Sequence, residues 1–307
     1  MRTTAVLVLG LAACVSPANE TQLAQPIIGG ETANPAEFPS VVALEEAPGD
    51  WFCTGTLIAS EWVLTAGHCV VDAPTATLNV RFGDGDVNDA YGGTVVAAKS
   101  VYTHEGFDWD AWDNDIALVK LAAPVTDHAP TAIHRDAVPA ETTVLDVGYG
   151  VIDNDDNGGG VLRKVEKRTA DCAGANDPEI TNTNLICMDV SDGRGSCFGD
   201  SGGPTFATLD GARVVVGVTS GGTGDLCGAG WDLYTSVNGE LPFVDAVLAG
   251  MVEPDEPVIE DPAPTDPTEG EPEPEEDGDG DGGCSTGGGH GLGLLLLGML
   301  AAIRRRR

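Results

Sequence analysis

The chain has 307 residues, enough for one large domain or two small ones, and 42% hydrophobic content with 42 glycines fits a folded, turn-rich core rather than a disordered chain. Its formal charge of −34 is uneven: residues 252–283 hold fourteen acids and no base, while four of the fifteen bases close the chain as Arg304, Arg305, Arg306 and Arg307. Residues 27–250 still carry ten bases against 34 acids, a net −24, which repels phosphate backbones and anionic headgroups and argues against nucleic acid as a partner.

At the N-terminus one base, Arg2, precedes an apolar run over residues 5–13, too short to span a bilayer but suited to the hydrophobic part of a signal peptide. Export is therefore expected. The run ends Leu11-Ala12-Ala13-Cys14, which resembles a bacterial lipobox, and two readings stay open: lipidation of Cys14 after cleavage, or an ordinary cut beside a small residue. Residues 1–14 are the expected signal segment and residues 15–26 a propeptide-like stretch.

Residues 27–250 read as short strands separated by Gly, Asp, Asn and Pro, for example 40–47, 52–59, 116–121, 142–148 and 212–219. The first convincing helical period comes at 241–248, so an all-β domain of sandwich or barrel type with a C-terminal helix is expected. Eight cysteines occur, and no CxxC pair of the kind used by zinc or thioredoxin chemistry is among them. Cys14 and Cys284 lie beside the apolar ends of the chain. That leaves Cys53, Cys69, Cys172, Cys187, Cys197 and Cys227 for three disulfides in an oxidising compartment.

Residues 251–283 are Glu, Asp, Pro and Gly with almost no apolar side chain, too little to offset their ordering entropy; a disordered, self-repelling acidic linker is expected. Residues 284–307 follow with Cys284, a glycine-rich stretch, an apolar run over 291–303 and the arginine cluster. A short hydrophobic segment closed by bases stops translocation with the bases inside. This tail resembles the C-terminal sorting signals of myxobacterial and related surface proteins, which implies processing near Cys284 and surface attachment or release; a plain tail anchor is the other reading. Either gives membrane association through the chain ends.

Three motifs occur in order: Thr65-Ala66-Gly67-His68-Cys69, Asp113-Asn114-Asp115-Ile116-Ala117-Leu118, and Gly199-Asp200-Ser201-Gly202-Gly203-Pro204. With Ile27-Ile28-Gly29-Gly30 before them and Tyr234-Thr235-Ser236-Val237 after, they make the stretch from Ile27 to Leu248 resemble the trypsin/chymotrypsin family of serine endopeptidases. The resemblance implies two antiparallel six-stranded β-barrels packed across a cleft. A serine hydroxyl attacks at neutral pH only when an imidazole takes its proton, and that imidazole needs a carboxylate to fix its tautomer. By resemblance Ser201, His68 and Asp115 fill those roles, the backbone N–H groups of Gly199 and Ser201 form the oxyanion hole, and the disulfides are Cys53–Cys69, Cys172–Cys187 and Cys197–Cys227. The competing class is a noncatalytic surface-binding module on the same fold, whose usual mark is a broken triad.

The same resemblance implies activation by a new amino terminus at Ile27 pairing with Asp200. Gln25-Pro26 precedes Ile27 and no Lys or Arg lies between Arg2 and Arg81, so self-activation by a cut after a base is excluded, and two readings stay open: another peptidase cuts Pro26–Ile27, or the pocket forms without that cut. Gly195 stands where trypsin-like members carry a specificity aspartate, while Asp232 falls on the opposite pocket wall. The expected pocket, completed by Phe198, Ser220 and Gly222, accepts Arg or Lys together with larger apolar residues; the alternative alignment leaves Asp232 facing solvent. Gly221 replaces the family's usual aromatic residue, which weakens the adjoining subsite. The loop Asp84-Gly85-Asp86-Val87-Asn88-Asp89 lies where relatives bind calcium, and either a structural calcium or a solvated acidic turn fits it. No other cofactor and no metal in the chemistry is expected, and the partners are protein or peptide substrates of a monomer.

Overall fold

The computed structural model of the chain describes residues 26–256 apart from residues 84, 91, 179 and 225. Cys14, the signal segment, most of the acidic linker, Cys284 and the apolar tail lie outside the described residues.

In the N-terminal half, short apolar runs pair into six strands: β2 Val41–Ala47, β3 Asp50–Ala59, β4 Trp62–Thr65, β5 Asn79–Phe82, β6 Thr94–Thr103 and β7 Ala117–Leu121. They close as a barrel in the order β2-β3-β4-β7-β6-β5. Closure removes the edges along which strands otherwise aggregate. Val42, Leu44, Leu57, Val63, Val80, Phe82 and Val119 fill its interior, each wholly buried. Burial of one such side chain is worth about 1.5–3 kcal/mol. One buried ion pair lies on the opposite face of these two strands from Leu44 and Val80: Arg81 of β5 meets Glu45 of β2 with Nε–Oε2 at 2.9 Å and Nη2–Oε1 at 3.1 Å.

The C-terminal half contributes β8 Thr143–Gly148, β9 Arg163–Arg168, β10 Leu185–Asp189, β11 Pro204–Leu209, β12 Ala212–Gly222 and β13 Trp231–Ser236, joined at one edge by the two-residue β1 Glu31–Thr32. Their order is β1-β9-β8-β11-β12-β13-β10, an antiparallel sheet curled into a half-barrel. The all-β, two-barrel expectation holds, with one refinement of strand pairing. The ladder between β9 and β10 is reduced to a single bridge, Ala170 to Cys187, because the chain leaves the strand direction at the turn Cys172–Ala175. The disulfide Cys172–Cys187 pins that turn to β10.

The terminal helix runs over Leu241–Leu248, with Pro242 in its first turn, where its missing N–H costs nothing. Val244 and Val247 face the core, and Arg135 pairs with Asp245 on the outer side. Past the helix, Asp255 returns to β6. Its amide donates to Val101 O at 2.9 Å, and its carboxylate accepts from Thr103 N and Oγ1.

Candidate active site

The helical turn Gly67–Val70 follows β4, and the disulfide Cys53–Cys69 fastens it to β3. It carries His68 to the mouth of the cleft. Asp115 stands just before β7, fully buried, and its carboxylate is held from three directions. Oδ1 accepts His68 N at 2.9 Å, while Oδ2 accepts His68 Nδ1 at 2.7 Å and Ser220 Oγ at 2.6 Å. The backbone carbonyl of Asp115 also accepts Thr235 Oγ1 at 2.9 Å. Four donors from both halves of the molecule therefore lock this residue, and the imidazole it holds lines the cleft, with Nε2 3.7 Å from Cys69 Sγ.

Ser201 and His68 line one cavity of about 390 Å³. Among the described residues no hydrogen bond joins Ser201 Oγ to His68; such contacts often tighten only when substrate is bound. Around the serine, Asp200 N donates to Cys197 O, Gly202 N to Thr219 O and Gly203 N to Asp200 O. The amides of Gly199 and Ser201, which alternate with these, are spent on no protein acceptor among the described residues. Gly199 has φ +92, and a Cβ there would run into the Trp51 ring, so only glycine fits the turn that frees its amide. Thr54 secures the same turn by donating to Gly199 O at 2.8 Å.

Asp200 points away from the cleft and is buried. Gly150 N and Cys197 N donate to its two oxygens at 2.8 and 2.9 Å, yet burial dominates and lifts its carboxyl to about 7, while Arg163 draws it the other way. Ile27 is buried in a continuous chain at φ +41, a region strongly disfavoured for a β-branched residue. The next residue is docked by Gly195 N donating to Ile28 O at 2.9 Å.

Phe198, Ser220, Gly222 and Asp232 line the cavity, and Phe198 sits exposed at its rim. Gly195 lies behind this wall. A Cβ at Gly195 would collide with Asp232 Oδ2, so the bare position and the acid are two sides of one packing arrangement. Asp232 faces the interior of the fold rather than solvent, with Oδ2 accepting Ser196 N at 2.7 Å and Ser196 Oγ at 3.0 Å. Burial raises its carboxyl to about 6. The disulfide Cys197–Cys227 ties the serine loop to the opposite wall.

Two tryptophans escaped the sequence reading. Trp109 packs edge-on to His68 with ring centroids 4.8 Å apart, and Trp112 packs against Trp109 at 5.0 Å with its ring tilted by 51°. Trp112 fills the space above Gly221, where a Cβ would strike its ring. The vacancy expected at Gly221 is thus occupied by an indole from the other half of the molecule. Two tryptophans within four residues, just ahead of Asp113-Asn114-Asp115, were the available signal.

Asp84 lies outside the described residues. Elsewhere in its loop, Asp86 Oδ1 accepts Asn88 N and Nδ2, and Asn88 also bonds Gly159 O and Trp51 Nε1. Cys53, His68 and Cys69 bring possible ligand atoms within 4.8 Å of one another, but both sulfurs are consumed in one disulfide and offer no thiolate. Among the described residues no helix is long and apolar enough to cross a membrane.

Comparison with known proteins agrees with this geometry. The Trypsin family profile matches residues 27–245. Trypsin-1 of Astacus astacus is 31% identical over 236 residues, covering 72% of this chain and 99% of that protein. Brachyurin of Leptuca pugilator is 33% identical over 227 residues, covering 71% and 96%. Serine protease 56 of Homo sapiens is 33% identical over 226 residues, 69% of this chain but only 37% of that longer protein.

Proposed function

The chain belongs to the trypsin family and is a serine endopeptidase, and from that premise we propose that Ser201 is its nucleophile, His68 its general base and Asp115 the group that orients the base. The observation that carries this reading is the 2.7 Å bond from His68 Nδ1 to Asp115 Oδ2 at the mouth of the cavity that Ser201 also lines. With Nδ1–H donated to Asp115, Nε2 is left to accept. Ser201 Oγ attacks the scissile carbonyl carbon and its proton passes to Nε2. The oxyanion is met by the amides of Gly199 and Ser201, an interaction typically worth about 2.7–4 kcal/mol of barrier. Collapse breaks the C–N bond, the imidazolium returns the proton to the leaving amine, and water repeats the sequence on the acyl-enzyme ester.

Labelling with a fluorophosphonate tests the assignment. The mature protein labels once, and Ser201→Ala abolishes the label. A protein correctly processed at its N-terminus that never labels would sink the catalytic reading in favour of a binding module.

The substrates are proteins or peptides. Asp232 lies in the cavity wall above the bare Gly195, and this supports a pocket that takes Arg or Lys as well as larger apolar side chains on the acyl side of the scissile bond. Activation follows from cutting Pro26–Ile27: the cut frees Ile27 from its disfavoured backbone and supplies an amine for the buried Asp200. The protein is exported as a monomer, and the segments around Cys14 and Cys284 attach it to a membrane or are removed. The chemistry uses no metal, and any calcium at residues 84–89 is structural. Mass spectrometry of the mature protein reports the fate of Cys14, Pro26–Ile27 and Cys284 together.

A further inference from the structure

Behind the pocket wall two buried carboxyl groups share one hydroxyl. Tyr234 Oη lies 2.8 Å from Asp146 Oδ2 and 3.3 Å from Asp232 Oδ2. Asp146 Oδ1 accepts Thr205 Oγ1 at 2.6 Å, its partner across the β8–β11 ladder. All four side chains are buried, and neither acid forms an ion pair among the described residues. The charged groups around them are Asp200, itself buried, and Lys167, whose ammonium is 2.8 Å from Asp192. Asp232 lines the cavity; Asp146 does not.

A phenol carries one hydrogen. It can donate to one carboxylate and accept from the other only if that other carboxyl is protonated, and two unpaired carboxylates this close in a dry interior resist ionising together. One proton therefore fits the Asp146–Tyr234–Asp232 chain in two arrangements. In the first, Asp232 O–H donates to Tyr234 and Tyr234 O–H donates to ionised Asp146. In the second, Asp146 O–H donates to Tyr234 and Tyr234 O–H donates to ionised Asp232. Exchange between them moves two hydrogens, leaves the tyrosine neutral and conserves total charge.

We propose that Asp146 is a specificity-determining residue of this peptidase, holding the shared proton when a cationic substrate side chain occupies the pocket and returning it to Asp232 when an apolar one does. The inference rests on the reading that Asp232 lines the primary specificity pocket. Asp146 acts on the substrate only through Tyr234 and Asp232, so it is a positioning residue for charge. It explains how one pocket serves both side-chain classes: the burial that makes a bare carboxylate unwelcome beside an apolar group is relieved by a proton stored one residue away.

The test is the ratio of kcat/KM for paired Arg and Phe peptide substrates, followed from pH 5 to 8.5. In the wild-type protein the ratio rises with pH as the pair loses its protons. Asp146→Asn removes the like charge, so the midpoint of that rise falls by about one pH unit or more, and the ratio at pH 6 increases several-fold. Thr205→Val, a near-isosteric change outside the pocket, takes a hydrogen bond from ionised Asp146, drives the proton onto it and moves the midpoint the same way. It keeps the test open should Asp146→Asn not fold. Benzamidinium affinity against pH, measured on Ser201→Ala protein, reads the same midpoint without turnover. Unchanged midpoints in Asp146→Asn and Thr205→Val, with Arg preference still lost in Asp232→Asn, overturn the role of Asp146 alone. A ratio indifferent to Asp232→Asn overturns the pocket reading and the inference with it.

Discussion

Ser220 shows how a single side chain can serve two parts of the site. It sits at an irregularity in the β12–β13 ladder, where the register shifts between Thr219 and Gly221, and this turns its hydroxyl inward to Asp115 Oδ2 at 2.6 Å while its surface still lines the cavity. Hydrogen bonds to charged groups contribute about 1.5–3 kcal/mol, and His68 continues to hold Asp115 when this one is lost. Ser220→Ala is therefore expected to lower kcat/KM about tenfold, at the low end of that range, and to slow fluorophosphonate labelling equally. A loss confined to KM, with labelling untouched, would mean that Ser220 acts on substrate alone. The sequence pointed to Ser220 as pocket wall only. Its bond to Asp115 joins positions 105 residues apart and depends on a strand irregularity that no local motif announces. Asp146 was more open to reading, since it falls in phase with buried Val144 and Gly148 on β8, and an acid in a core-facing phase of a strand signals a buried network.

Among whole elements, the strands beside the chemistry were the legible ones: the expected 142–148 and 212–219 appear as Thr143–Gly148 and Ala212–Gly222, and the terminal helix appears at its expected bounds. Period-two burial and the 3.6-residue repeat are local signals. What bridges elements was less legible, and the loop before Asp115 is the clearest case. Trp112 covers Gly221 on β12, so the aromatic surface beside the cavity comes from one half of the molecule and its seat from the other. Trp112→Ala should raise KM roughly tenfold, the loss of one apolar contact of about 1.5 kcal/mol, for peptides with an apolar residue two to four positions before the scissile bond. Single-residue esters should be unaffected, and adding Gly221→Trp to Trp112→Ala should restore the peptide KM. The Arg81–Glu45 pair between β5 and β2 yields a stability test of the same scale. Arg81→Ala leaves a buried carboxylate without its cation and costs about 3–5 kcal/mol, whereas the double change Arg81→Met with Glu45→Leu recovers most of that loss. Denaturant midpoints of the three proteins check it.

Over the whole molecule, charge and burial act together. Residues 27–250 carry a net −24, and four acids of the C-terminal half are buried: Asp146 and Asp200, each with its carboxyl raised to about 7, Asp232, raised to about 6, and Glu240, also raised, in every case mainly by loss of water. A carboxyl raised in the folded state binds its proton more tightly there than in the unfolded chain. Between the ordinary value of 3.8 and about 7 the folded protein therefore holds more protons, and stability falls as pH rises through that window. Each pH unit separating folded and unfolded titrations is worth about 1.4 kcal/mol per group. Self-repulsion of the remaining carboxylates works in the same direction. The opposite tendency belongs to Asp153 and Asp189, exposed groups lowered chiefly by hydrogen bonds from Asn157 and Ser191; their contribution is lost as pH falls below 4 and is weakened by solvent. The thermal midpoint is thus expected to peak near pH 4–5 and to decline toward pH 8. Asp146→Asn removes one of these buried titrations, lowers that of Asp232 beside it, and should flatten the decline. Added NaCl should raise the midpoint at pH 8 more than at pH 5, because it screens the surface repulsion but leaves the dry carboxyls unscreened. Calorimetric scans of both proteins across pH and salt separate the two contributions: a decline that salt abolishes entirely, and that Asp146→Asn leaves unchanged, would assign it to surface charge and remove the buried acids from the account.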